Sequence, residues 1–388
     1  MNIPNVNAHL HTPYSFSAFE KLTDALDKAS DEKVGVVGIN DFYSTDGYVE
    51  WDAEARKRRL FPLFNIEFIS LQKEDRDNGI RVNDPNNPGR TYISGKGLKC
   101  PPKLEEPYSS QLKGVRAESN AQVGEMCEKV NRLLASRNSG FNLIFKVIED
   151  CLSKGLVRER HLAKALRWSA YIYCRNEPDD IKSFLQDLFD GKPLKSDTLD
   201  YAGVENEIRS HLLKAGGAAF VPEDPKAFLP LDDVCKIILA AGGIPTYPFL
   251  ADDANGCFTD FEQDVEKAAE TLKRRGIFSA EFITTRNSPE TLEKYADYLY
   301  DNGFIVTFGS EHNTPAMEPV LLSTRGKTAL SEKLKKINYR SACVIAAHQK
   351  RVADGQTGYA DANGNVDASL RDDFIDEGNK LIQNVIKP

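Results

Sequence analysis

Two of the six histidines in this 388-residue chain, His9 and His11, stand together near the N-terminus in the tripeptide HLH. Residues 3–10 (IPNVNAHL) read as a short strand. Positions i and i+2 of a strand point to one face, so both imidazoles can reach a single ion. Two ordinary, hydrogen-bonded histidines would fit the same spacing. Metal ligation is favoured by their company, because Asp41, Glu67, Glu311 and His312 also fall at the ends of segments that read as strands. Imidazole nitrogens with carboxylate oxygens form a donor set of borderline hardness, suited to zinc, manganese or iron without selecting among them.

The elements that must position these groups follow a β/α rhythm. VGVVGIN (34–40) and LFPLFNIEFISL (60–71) are apolar strand candidates, separated by helical spacing over 22–32 and 48–59. Continuous apolar runs between amphipathic helices indicate a parallel sheet covered on both faces, with functional groups at the carboxyl edge. Residues 74–111 break the rhythm, with only TYISG suggesting a strand, and 120–190 read as helical throughout. The alternation resumes with the helix LDDVCKIILAAGG and the strand IPTYPF, continues through IFSAEFI and FIVTFGSEH, and closes on a helix at about 327–350. The expected fold class is therefore α/β, with a barrel in two pieces (1–111 and 206–350), a helical insertion (112–205) and a C-terminal extension (351–388).

The ordered set HLHTPYS (9–15), GINDF (38–42), PLFNIEF (62–68), AAGGIPTYPF (240–249) and FGSEHN (308–313) resembles the PHP family, metal-dependent phosphoesterases that include bacterial histidinol-phosphate phosphatases and a domain of bacterial replicative DNA polymerases. The resemblance spans roughly residues 5–315 and implies a distorted (β/α)7 barrel with metal ions at the carboxyl ends of its strands. It implies that His9, His11, Glu67 and Glu311 hold one metal, Glu311 standing where the family has aspartate. Other positions depart from the family: Phe42, Tyr247 and Asn313 each replace a histidine, which leaves one divalent ion (zinc, manganese or iron) or at most a second, rather than three. Phenylalanine cannot ligate, and tyrosine and asparagine are weak ligands for these metals.

The function implied is a metal-dependent hydrolase, a phosphoesterase acting on a small phosphorylated substrate through a water the ion activates. Asp41 is the candidate to orient or deprotonate that water, and His312 the candidate acid or phosphate contact. Tyr247 and Asn313 are candidate substrate contacts. The run RERHLAKAL resembles the inserted segment of the subfamily acting on small nucleotides or phosphoesters, so Arg158, Arg160 and His161 are candidate phosphate ligands, against the alternative of a solvated helix face. Glu281, within IFSAEFI, reads first as a structural hydrogen-bonding group. The competing function is a catalytically reduced PHP-like protein that binds a ligand or regulates a partner.

Composition narrows the setting. Lys+Arg 50 against Asp+Glu 58 gives a net charge of −8, and with only two tryptophans there is no strong nucleic-acid signal. Seven scattered cysteines without a CxxC pair fit a reduced, cytoplasmic protein, and no segment approaches the ~18 apolar residues of a membrane span. No nucleotide cofactor is expected: GRTYISGKG (89–97) has the wrong spacing for a Walker loop, which leaves Lys96 as a substrate contact on a loop, and no GxGxxG follows a strand. Oligomeric state is not legible.

Overall fold

The computed structural model describes residues 3–253, 255–313 and 317–387. Seven strands form one sheet in chain order: β1 (Asn5–Leu10), β2 (Val34–Phe42), β3 (Phe61–Leu71), β4 (Arg90–Lys96), β5 (Ile244–Phe249), β6 (Ser279–Ile283) and β7 (Ile305–Gly309). Pairing is parallel except around β4, which runs antiparallel to both β3 and β5. Just beyond β7 the chain rejoins β1. A parallel bridge pairs Leu10 with Glu311, His11 N–H donates to Glu311 O (2.9 Å) and Glu311 N–H to His9 O (3.0 Å). The sheet is thus a nearly closed barrel, and its seam lies at the two histidines.

The barrel strands are interleaved with α1 (Leu22–Asp31), α2 (Tyr48–Lys57) and the short α3 (Lys73–Asp77). Between β4 and β5 the chain instead builds a helical layer: α4 (Tyr108–Ser136), α5 (Phe145–Leu152), α6 (Glu159–Tyr173), α7 (Pro178–Leu188) and α8 (Tyr201–Ile208). The return to the barrel uses α9 (Leu231–Ala240), α10 (Val265–Arg274) and α11 (Pro289–Asp301), followed by α12 (Glu332–Ala353) and α13 (Arg371–Ile386). Local sequence sets these boundaries. Asp264 and Ser288 cap α10 and α11 by accepting backbone N–H bonds, and Pro289 opens α11 where no amide is needed. On α10 the buried residues Val265, Ala268, Ala269 and Leu272 form the i, i+3, i+4, i+7 stripe that faces the sheet.

Three apolar clusters hold the molecule together. One surrounds the barrel, and a second lies among the α4–α8 helices, from Val123 to Val221. The third joins the barrel to α12 and α13 through Val6, Ala8, Leu63, Ile345 and Phe374. α4 is longer than its periodicity suggested because it serves two of them: Leu112 and Val115 pack on the barrel, Val123 to Leu134 on the other helices. Among the described residues, no helix is long and apolar enough to cross a membrane.

Candidate metal centre and anion cavity

Alternate residues of each strand point into the barrel. Here the inward set is largely polar: Asn7 and His9 from β1, Asn40 from β2, Asn65 and Glu67 from β3, Ser94 and Lys96 from β4, Glu281 from β6 and Thr307 from β7 are all buried. At the carboxyl end two of these inward-facing groups, His9 and Glu67, converge with His11, which follows directly after β1. His9 Nε2 and His11 Nε2 are 3.3 Å apart, and Glu67 Oε2 lies 3.5 Å from the first and 3.3 Å from the second. Metal–ligand bonds of about 2.0–2.1 Å in a tetrahedron place neighbouring ligand atoms about 3.3–3.4 Å apart, which matches this triangle. Glu67 Oε2 is buried and accepts no directed hydrogen bond, an orphan acceptor that an ion would satisfy. Three protein ligands with a fourth position open is the arrangement of catalytic rather than structural zinc.

Both imidazoles are oriented from behind. Glu281 Oε2 accepts from His9 Nδ1 at 2.8 Å, which turns Nε2 toward the triangle. His11 Nδ1 donates to Ser15 Oγ at 3.3 Å, and Ser15 Oγ donates in turn to Asp41 Oδ1 at 2.6 Å. Phe16 and Phe42 lie nearly parallel to the His11 ring, with centroids 5.3 and 5.2 Å away. Burial opposes charge on His9, but Glu281 and Glu67 outweigh it and raise its pKa to about 9. Burial likewise would raise Glu67, yet the two histidines bring it down to about 2. The cluster is thus tuned to hold positive charge against the carboxylates.

His9 and Glu67 line a cavity of about 370 Å³. Its wall includes Phe42, Ile69, Tyr92 and Ile283 from the strands, and Arg158, Glu159, Arg160 and Arg209 from the helical layer and the turn after it. Arg158 and Arg160 reach it together because Arg158 is the extended cap of α6 (φ −120°, ψ 162°) and only Arg160 lies on the helix. Arg158 donates to Ser119 Oγ (3.1 Å), whereas Arg160 Nη1 is buried without a partner among the described residues. Burial, followed by the nearby Arg209, lowers the Arg160 pKa to about 10, leaving it charged at neutral pH. Arg286 also lines the cavity and is paired with Glu311.

Several residues singled out from sequence have other work in the structure. Glu311 borders the cavity, but its carboxylate is engaged by Arg286, and the ligand atoms that converge are those of His9, His11 and Glu67. Asp41 does not line the cavity: Thr12 N–H (2.7 Å) and Thr12 Oγ1 (2.5 Å) join Ser15 in donating to it, so it supports His11 from behind. His312 accepts or donates at Nδ1 with Ser310 Oγ (2.8 Å), donates from Nε2 to Glu318 O (2.8 Å) and stacks on Phe19, which leaves neither nitrogen free for the cavity. Tyr247 is buried behind the wall and donates to Glu262 at 2.8 Å. His161 accepts the Arg158 N–H at Nδ1 (3.0 Å), closing the first turn of α6, and faces a neighbouring groove. Asn313 borders both the cavity and that groove.

Sequence reading missed Ser15, Arg209 and the depth of Lys96. Lys96 is no loop residue; it ends β4 and is wholly buried inside the barrel, paired with Glu281. The period-2 pattern Tyr92, Ser94, Lys96 carried that signal once TYISG was extended by two residues.

No family profile and no curated protein matches this chain. Solved structures do. One, from Bifidobacterium adolescentis, is described as a candidate metal-dependent phosphoesterase; it is 13% identical with a TM-score of 0.56, over 88% of this chain and 97% of that one. Another, an amidohydrolase from Chromobacterium violaceum with bound sulfate and no metal, is 17% identical with a TM-score of 0.52, over 86% and 96% of the two chains. At such identities the likeness is one of fold, and it extends over nearly the whole of each relative.

Proposed function

We propose that this protein is a metal-dependent hydrolase that acts on a small phosphorylated substrate. The observation that carries the reading is the His9–His11–Glu67 triangle, with its orphan acceptor and open fourth position, facing a cavity lined by arginines. A divalent ion held there would polarise a phosphoryl oxygen and acidify water. The chain's own residues do the rest. Arg160 offers a buried Nη1 that has no partner among the described residues, and Arg158 stands beside it, so an oxyanion entering the cavity would gain charge-assisted hydrogen bonds. Phe16 and Phe42 shield the inner side of the His11 ring, which strengthens electrostatic interactions at the ligands. The descriptions of the two structural relatives, a metal-dependent phosphoesterase and a sulfate-bound amidohydrolase, support the same class of chemistry.

Protein loaded with zinc or manganese should bind about one ion per chain and hydrolyse members of a phosphoester panel. His9→Ala and Glu67→Gln should abolish both ion uptake and turnover. Wild-type protein that takes up no transition metal would refute the reading. A second reading, a binding protein without turnover, draws on the commitment of Asp41 and His312 to internal hydrogen bonds. Its signature is metal-dependent phosphate binding with no hydrolysis of any ester tested.

A further inference from the structure

Beneath the triangle lies a charged group that the proposed reaction does not use. The Lys96 ammonium is fully buried, on the inward face of the last residue of β4. Among the described residues its contacts are Glu281 Oε1, Asn40 Oδ1 (3.2 Å) and Ala8 O (3.3 Å). Two of these partners continue directly to His9. Glu281 Oε2 accepts from His9 Nδ1, while Asn40 Nδ2 sits 3.1 Å from Nδ1 and 3.0 Å from Nε2, against the ring. Ala8, the third, is the backbone neighbour of His9.

We infer that Lys96 is a positioning residue for the metal centre: by fixing Glu281 and Asn40 it holds the His9 ring with Nδ1 protonated and Nε2 aimed at the ion. This rests on the metal-centre reading above and extends it to a group that touches neither ion nor substrate. A buried lysine has three N–H bonds to place and a buried carboxylate two oxygens to satisfy. Lys96 neutralises Glu281 through Oε1, while Oε2 accepts from His9 Nδ1 at 2.8 Å and, at a longer 3.3 Å, from Ser94 Oγ. Without the ammonium, Glu281 would be a buried carboxylate stripped of its lysine counter-ion and free to shift away from His9 Nδ1. Carboxylates behind metal-bound histidines set the tautomer and basicity of the ring, and their loss costs about 10–100-fold in metal affinity.

The test is a metal-affinity cycle measured by chelator competition with zinc on wild type, Lys96→Met, Glu281→Gln and the double variant, each checked for folding by circular dichroism. Lys96→Met should weaken zinc binding about 10–100-fold. In the Glu281→Gln background the same substitution should have a much smaller further effect, since the main route is already cut and only the contact through Asn40 remains. Cobalt-loaded Lys96→Met should also show a shifted visible absorption band, which a purely structural lysine would not produce. Zinc affinity within twofold of wild type, or two effects that simply multiply, would overturn the role of Lys96 while leaving the metal centre intact. Failure of wild type to bind zinc would instead sink the reading beneath it. Should Lys96→Met not fold, nitrogen-15 spectra of zinc-loaded wild-type protein still decide: His9 bound to zinc through Nδ1 rather than Nε2 rejects the proposal.

Discussion

Asp41 illustrates how a side chain's partners settle its task. The carboxylate sits at the end of a strand beside the site, where a base would be sought, yet it accepts from Thr12 and Ser15 and acts on the ion only through His11. Asp41→Asn should therefore lower metal affinity about 10–100-fold while activity at saturating metal is largely restored, as measured by zinc titration of turnover. A base would give the opposite result, unchanged affinity with turnover lost at every metal concentration. Arg160 belongs at the same scale. Removing its guanidinium, whose Nη1 has no partner among the described residues, in Arg160→Met should weaken inorganic phosphate binding by about 10–100-fold, the size of one or two hydrogen bonds to a charged group, with metal content unchanged by elemental analysis.

The seam between β1 and β7 is the element on which the metal site depends. Gly309 ends β7, and a Cβ there would lie 2.2 Å from His9 Cβ, closer than any real contact allows. Gly309→Ala must push the strands apart at the position where His9 is held. It should cost about 1–3 kcal/mol in stability and impair zinc binding as well, readable as a lower Tm together with a chelator-competition shift. An alanine variant with wild-type Tm would show that the seam yields freely. The strand-by-strand reading of β1, β2, β3, β5, β6 and β7 was legible because each is a short run of apolar residues between turn signals and helical stripes. β4 was only partly legible, since its inward face carries Ser94 and Lys96 and its role as an antiparallel strand between two others leaves no mark on local sequence. The HxH spacing and Glu67 were visible for the same reason that β1 and β3 were, whereas the pairings of Glu311 with Arg286 and of Tyr247 with Glu262 depend on side-chain neighbours separated by 25 and 15 positions.

Across the whole molecule, acid stability is governed in part by imidazoles buried outside the metal cluster. His348 on α12 donates to Gly242 O (2.8 Å) and accepts the Tyr359 N–H at Nδ1 (2.9 Å), so protonation would set two donors against each other. Burial lowers its pKa from 6.5 to about 4, and burial does the same for His161. Between these values the unfolded chain binds protons that the folded one refuses, so the contribution is complete above pH 6.5 and is lost as pH falls toward 4. Each histidine accounts for about 3 kcal/mol at most. Urea denaturation in the presence of chelator, at pH 7.5 and at pH 5, should show wild type losing more stability on acidification than His348→Gln; equal losses would reject the assignment. A different consequence follows from the source of the cavity's arginines. The candidate metal ligands come from β1, the residue position just past it and β3, but Arg158 and Arg160 come from a run of helices joined to the barrel at two points in the chain. On the proposed reading, capture of an ion and choice of an anion are thereby written in separate stretches of the gene, so natural variation could retune the cavity wall while the three candidate ligands stay as they are.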